Sequence, residues 1–206
     1  MFNVTEFTPY IATNVLNCPS FIIERAVASA VYEFCSKSWC LNEETDPVDI
    51  VAGEAEIEFD GDLDIVGLFN VRYNGEIIDK YSESELDRVC PGWKSLTGTE
   101  PTKYVHTDTN KVRLVPIPSQ DADDAITARI AMAPSPRATK FPDVFGTLYF
   151  DAIVAGATSR LMLQQGRPWY NPSLAGPLQG DFRDKMYSAR NVVMRDIVSR
   201  KPEIIL

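Results

Sequence analysis

Two long apolar runs, separated by a proline-rich break between Phe141 and Lys201, constrain this chain more than any other feature. In the first run Val144, Leu148, Ala152, Ala155, Ser159 and Met162 share one helical face, while Phe150, Val154, Ala157 and Leu161 share another. A helix that is apolar on two faces must be covered on both. The run reaches Gln165 and stops at Gly166-Arg-Pro-Trp-Tyr-Asn-Pro172. Gly166 suits a left-handed C-cap, Pro168 blocks continuation, and Asn171-Pro172 offers an N-cap followed by a first-turn proline. Beyond the break Leu178, Phe182, Met186, Ala189, Val193 and Ile197 recur every three or four residues. Pro177 blurs the start of that second helix, with Gly176 as an alternative cap. The pattern predicts an antiparallel helical hairpin and carries no reaction chemistry.

A third helix is expected after Cys18-Pro-Ser20, where Ile23, Val27, Ala30, Val31 and Phe34 form a stripe that ends near Ser38. Its outer face carries Glu24, Arg25, Glu33 and Lys37, so it needs a partner, and the hairpin supplies one. Residues 1–17, with Pro9 and no sustained period, read as extended or turn-like. The middle of the chain follows a different rule. Glu54 to Phe59 alternates strictly, and Phe69, Val71 and Tyr73 continue period two up to Asn74-Gly75, a hairpin turn signal. Ser82 to Glu85 is a capping box for a short helix through Val89, ended by Pro91-Gly92. Thr102–His106 and Lys111–Ile117 read as strands around an Asp108-Thr-Asn turn, and Ile126, Ala128, Ile130 and Met132 give another. The predicted fold class is α+β. A small α-helical bundle (N-terminal helix plus C-terminal helical hairpin) takes residues 1–45 and 137–206, and an inserted antiparallel β-rich subdomain takes residues 46–136.

Charge follows the same division. Between Lys37 and Arg72 there is no Lys or Arg, while ten acids occur: Glu43, Glu44, Asp46, Asp49, Glu54, Glu56, Glu58, Asp60, Asp62 and Asp64. From Arg160 onward eight basic residues stand against four acidic ones, a local balance of +4. Such segments are either solvated faces or two halves of a head-to-tail contact between copies. The whole chain carries −9, which disfavours tight wrapping of nucleic acid. No stretch suits a membrane span, and the first residues lack the basic start and apolar run of a secretory signal.

Candidate chemistry is sparse. His106 is the only histidine, which excludes a His-rich metal site and leaves at most one catalytic triad; no Gly-x-Ser-x-Gly elbow accompanies it. No Walker or dinucleotide fingerprint occurs. Asp60 to Asp64 opens like a calcium loop but has Ile65 where glycine is needed and Val71 where a bidentate glutamate is needed. The cysteines Cys18, Cys35, Cys40 and Cys90 match neither zinc nor redox spacing and read as reduced, structural thiols. No cofactor, catalytic residue or metal ligand is expected. Two features suit a binder instead. Trp169 and Tyr170 sit at the hairpin tip, where amphipathic rings serve interfaces or fold back as a plug. Ile204, Ile205 and Leu206 follow a helix-ending proline, free to pack on their own subunit or to dock in a neighbour's groove.

The serial order of these pieces resembles the head-to-tail connector (adaptor, or head-completion) proteins of tailed bacteriophages. The likeness runs through Cys18-Pro-Ser-Phe-Ile-Ile-Glu-Arg-Ala26 with Phe34-Cys35 and Trp39, then Pro47-Val-Asp-Ile-Val-Ala-Gly-Glu-Ala-Glu56, Leu86-Asp87 and Pro91-Gly-Trp93. It continues through Pro101-Thr-Lys-Tyr104, Val112-Arg-Leu-Val-Pro-Ile-Pro118, the small-residue helix from Ala155 to Leu163, and Gly166 to Pro172. The resemblance implies a dodecameric homo-oligomeric ring beneath the portal protein, located at the virion's head–tail junction after assembly in the host cytoplasm. Such a ring extends the DNA channel, offers a platform to a tail or nozzle protein below, and lets genomic DNA pass without specific binding. It implies no membrane partner and no catalytic residues, and it assigns portal docking to the C-terminal segment, hence to Ile204, Ile205 and Leu206. Trp169 and Tyr170 are interface candidates. The alternatives are another ring-forming tail-side or tail-completion protein, a DNA-packaging accessory factor, and a hydrolase built on His106.

Overall fold

The computed structural model describes residues 1–198. The N-terminal elements are β1 (Phe2–Asn3), a 3-10 turn (Val4–Phe7), α1 (Thr8–Ala12) and α2 (Ser20–Ser38). The central strands begin with β2 (Asn42–Glu44), β3 (Val48–Ile50), β4 (Glu56–Glu58), β5 (Asp64–Tyr73), β6 (Glu76–Ile77) and β7 (Asp79–Tyr81). After α3 (Glu83–Val89) come β8 (Thr97–Gly98), β9 (Lys103–His106), β10 (Lys111–Val115), β11 (Ile117–Pro118) and β12 (Ala122–Ala133). The chain then forms β13 (Lys140–Phe141), α4 (Val144–Thr147), α5 (Phe150–Met162) and α6 (Pro172–Val198). The fold is α+β, and the chain divides into two compact units: Met1–Cys40 with the chain from Ala133 onward, and Leu41–Met132.

In the first unit α5 packs along α6, and α2 packs on both. The two-faced pattern of α5 is met by burial all round: Ala152, Ala155, Ser159 and Met162 on one face, Ala157 and Leu161 on the other. Gly156 marks a close approach in this seam, because a Cβ placed there would lie 2.5 Å from the Phe182 ring. Glu33 of α2 pairs with Arg160 of α5. α6 starts at Pro172 and runs through Pro177, so the first-turn proline, and not Gly176, marks its beginning.

Three local expectations are corrected. Residues 1–17, expected to be extended or turn-like, are so only at Phe2–Asn3 and beyond Ala12: between them Asn3 and Glu6 form a reciprocal capping box on the 3-10 turn, and Pro9 sits in the first turn of α1, where its missing N–H costs nothing. The first apolar run is not one helix, since the backbone breaks between α4 and α5 and leaves Leu148 70% exposed. Phe150 instead turns to the N-terminal segment, stacking on Phe7 at 4.9 Å and meeting Tyr10 edge-on at 4.9 Å. Gly166 does not cap α5, which ends four residues earlier at Met162.

In the second unit β4, β10, β9 and β7 form one sheet, and β2, β12, β5 and β6 another, with β3 also paired to β12. Ile57, Phe59, Tyr104, Val112 and Leu114 meet Leu68, Val71, Ile126, Ala128 and Ile130 in a single apolar core. The strict alternation of Glu56-Ile-Glu58 appears as exposed, buried, exposed. Asn74 (φ 48°) and Gly75 (φ 83°) make the β5–β6 turn that their sequence predicts. Pairing in this unit is not wholly antiparallel, however: β7 runs parallel to β9, and β8 parallel to β11. For β7 and β9 the crossover that a parallel pair requires is α3, while β8 and β11 are joined through β9 and β10. Around it Leu86, Trp93, Val105 and Val115 form a smaller core, with Trp93 Nε1 donating to Asp87 at 2.8 Å.

Candidate interaction site

The hairpin tip between α5 and α6 is closed by its own backbone. The Gln164 N–H donates to Leu161, Tyr170 to Arg167, and Asn171 back to Met162 at 2.9 Å. Gly166, at φ 75°, takes the left-handed turn in between. Asn171 then caps α6, its Oδ1 accepting from the Leu174 N–H at 3.3 Å. This frame separates the two ring candidates. Trp169 is only 7% exposed, donates its Nε1 proton to Gln164 Oε1 at 3.3 Å, and has the Arg167 guanidinium 5.8 Å from its ring centroid. Tyr170 remains 42% exposed. Ile204, Ile205 and Leu206 lie outside the described residues.

The hydrolase alternative can be examined at His106. It stands on β9, and its Nε2 is buried without a hydrogen-bond partner. Burial, with the Lys80 charge second, holds its pKa below the ordinary imidazole value. Ser82 lines the same cleft, but its hydroxyl donates to Glu85 Oε2 at 2.6 Å as part of the α3 cap. Nucleophile, base and orienting carboxylate are therefore not strung together as a triad needs. Among the described residues no group of three His, Cys, Asp or Glu side chains could hold a metal ion, and no helix is long and apolar enough to cross a membrane.

The pattern of the SU10 adaptor proteins matches residues 5–200, nearly the whole chain. The chain belongs to the SU10 adaptor protein family. This is a bacteriophage head–tail adaptor family, as the resemblance implied. Membership makes the protein a structural component of the virion, and the family implies association with phage portal and tail components. No curated protein matches the chain.

The adaptor's acidic stretch is partly neutralised by residues from later strands. Arg72 bridges Glu44 at 2.9 Å, Lys111 bridges Glu58 at 3.0 Å, and Arg113 reaches Glu56 at 3.8 Å. Glu43, Asp46, Asp60 and Asp62 have no ion-pair partner among the described residues, and with Glu44 they line one open cleft in the second unit. Sequence reading found the acids but not this split. The neutralising cations lie up to 57 positions away along the chain, the separation of Arg113 from Glu56, and only strand register brings them in.

Two exposed carboxylates of the same unit contribute to its acid sensitivity. Glu58 is held below the usual carboxylate range by hydrogen bonds from Lys111 and then Asn110, and Glu85 by the Ser82 hydroxyl and then the Ser82 N–H. Their folded pKa values lie below the unfolded value of about 4.3. Their contribution is therefore complete above that pH and is lost as pH falls through the folded values. The melting temperature of the second unit is expected to be flat near neutrality and to decline below about pH 4. Glu85→Gln, which keeps the reach of the cap, should flatten part of that decline in a pH series of thermal melts. An unchanged slope would remove Glu85 from the explanation.

Proposed function

We propose that this adaptor assembles as a dodecameric ring beneath the portal, extends the DNA channel, and presents the platform on which a tail or nozzle protein docks. The observation that carries the reading is the family match across residues 5–200. The apolar C-terminal residues Ile204, Ile205 and Leu206 are assigned to portal docking. Each such side chain is worth about 1.5–3 kcal/mol when buried, weak in one copy and strong when repeated around a ring. Tyr170 and the tip held by Trp169 are assigned to contacts between neighbouring proteins. Genomic DNA passes through the lumen without specific binding, in keeping with a net charge of −9.

The test is to mix the purified chain with portal rings from the same phage and view the mixture by electron microscopy, with a chain ending at Arg200 in parallel. The expected result is a symmetric extra tier that the shortened chain fails to form. A tier that survives truncation would keep the adaptor role and remove the docking assignment. No tier, with both proteins folded, would point to a tail-side component.

The charge division supplies a second test. We assign the unpaired acids Glu43, Asp46, Asp60 and Asp62 to a head-to-tail contact with the basic C-terminal helix of a neighbouring copy. Replacing three of them by lysine places like charges across the contact and is expected to weaken ring assembly at least about tenfold, measured by sedimentation. Unchanged assembly would mean these acids are simply a solvated face.

A further inference from the structure

The C-terminus of α2 is unusual in ending without glycine. Trp39 takes the left-handed conformation (φ 59°, ψ 28°), and its N–H donates to the Cys35 carbonyl at 2.8 Å. In helix ends of this kind the side chain in the last turn and the one just past the left-handed residue fold against each other, usually as an apolar contact. Here those two positions are Cys35 and Cys40, and their thiols are hydrogen-bonded to one another. The cap around them is braced. Ser38 Oγ donates to the Phe34 carbonyl at 2.7 Å and accepts from the Cys40 N–H at 3.3 Å. Arg190 of α6 stacks 4.3 Å above the Trp39 ring and donates to the Lys37 carbonyl at 2.8 Å. Tyr149 stands beside both sulfurs.

The two thiols differ in access: Cys35 is fully buried, while Cys40 is only partly buried. We infer that Cys35 and Cys40 are a redox pair that closes to an intramolecular disulfide when the protein meets a low-molecular-weight disulfide. The Cys40 thiolate attacks one sulfur of the oxidant RS–SR, forming the mixed disulfide and releasing RS⁻, which takes up a proton. The Cys35 thiol then attacks the Cys40 sulfur and passes its proton to the departing RS⁻, which leaves as RSH. Two cysteine thiols are oxidised and one RS–SR is reduced to two RSH, so atoms and electrons balance. Burial pushes the Cys35 thiol up, which makes the second step the slow one. A virion protein is made under reducing conditions and released into oxidising ones, so closure would follow assembly. It would staple the last turn of α2 to the residue at which the N-terminal segment of the first unit ends.

The test treats the full chain with oxidised glutathione, then alkylates, digests and reads the peptides by mass spectrometry. The expected product is a monomer in which Cys35 and Cys40 are linked with loss of two hydrogens while Cys18 and Cys90 are alkylated. A Cys18→Ser/Cys90→Ser variant should close equally well, and Cys40→Ser should leave Cys35 unmodified. Four alkylated cysteines, a glutathione adduct that persists on Cys40, or links through Cys18 or Cys90 would each overturn the inference.

Discussion

Gly156→Leu is expected to damage the first unit severely. A Cβ at this position would lie 2.5, 2.7 and 2.9 Å from three ring carbons of Phe182, and those atoms belong to a buried side chain with no free end to swing away. Overpacking of this kind costs roughly 1–3 kcal/mol for small additions and more for large ones. Leucine adds three further carbons to the clash, so a loss of at least about 3 kcal/mol is expected. Gly156→Ala is the finer test, because alanine also gains about 1 kcal/mol of helix propensity. Its net effect should fall between neutral and a loss of about 2 kcal/mol. Gly180→Ala is the control: it lies in α6 with open space where its Cβ would go, and it should gain up to about 1 kcal/mol. At roughly 2–4 °C per kcal/mol for a chain of this size, thermal melts separate the three variants.

Trp169→Ala and Tyr170→Ala should separate folding from assembly at adjacent positions. Trp169 is buried and hydrogen-bonded to Gln164, so its loss opens a cavity under the hairpin tip at a cost of about 3–5 kcal/mol. Tyr170 has more than two fifths of its surface exposed, so its loss should change stability by no more than about 0.5 kcal/mol. If the tip meets a neighbour, Tyr170→Ala weakens ring formation or portal binding in a protein that melts like the wild type. A Tyr170→Ala protein that assembles normally would remove this residue from the interface.

Helix α2, the hairpin, the Asn74-Gly75 turn and the Ser82 cap were legible because each is written in neighbouring residues: a stripe, a glycine, a box of four. The features that escaped depend on distant partners. Pro9 looks like a breaker until Asn3 and Glu6 make it part of a helical start. Leu148 fits the α5 stripe in sequence, yet the break that exposes it accompanies the turning of Phe150 toward Phe7 and Tyr10. The parallel β7–β9 pairing follows from α3 acting as a crossover, and no alternation pattern encodes that. At the tip the sequence named two rings without distinguishing them, because the choice rests on which indole finds Gln164. The Cys35–Cys40 contact was hidden for a similar reason: without a glycine, nothing marks Trp39 as left-handed.

The adaptor role is tested most directly by growing the phage with this gene silenced and inspecting the lysate by electron microscopy. DNA-filled heads and separate tails should accumulate, and adding the purified chain should join them into infectious particles. Tailed particles at normal yield, or heads that fail to fill with DNA, would contradict a head–tail adaptor.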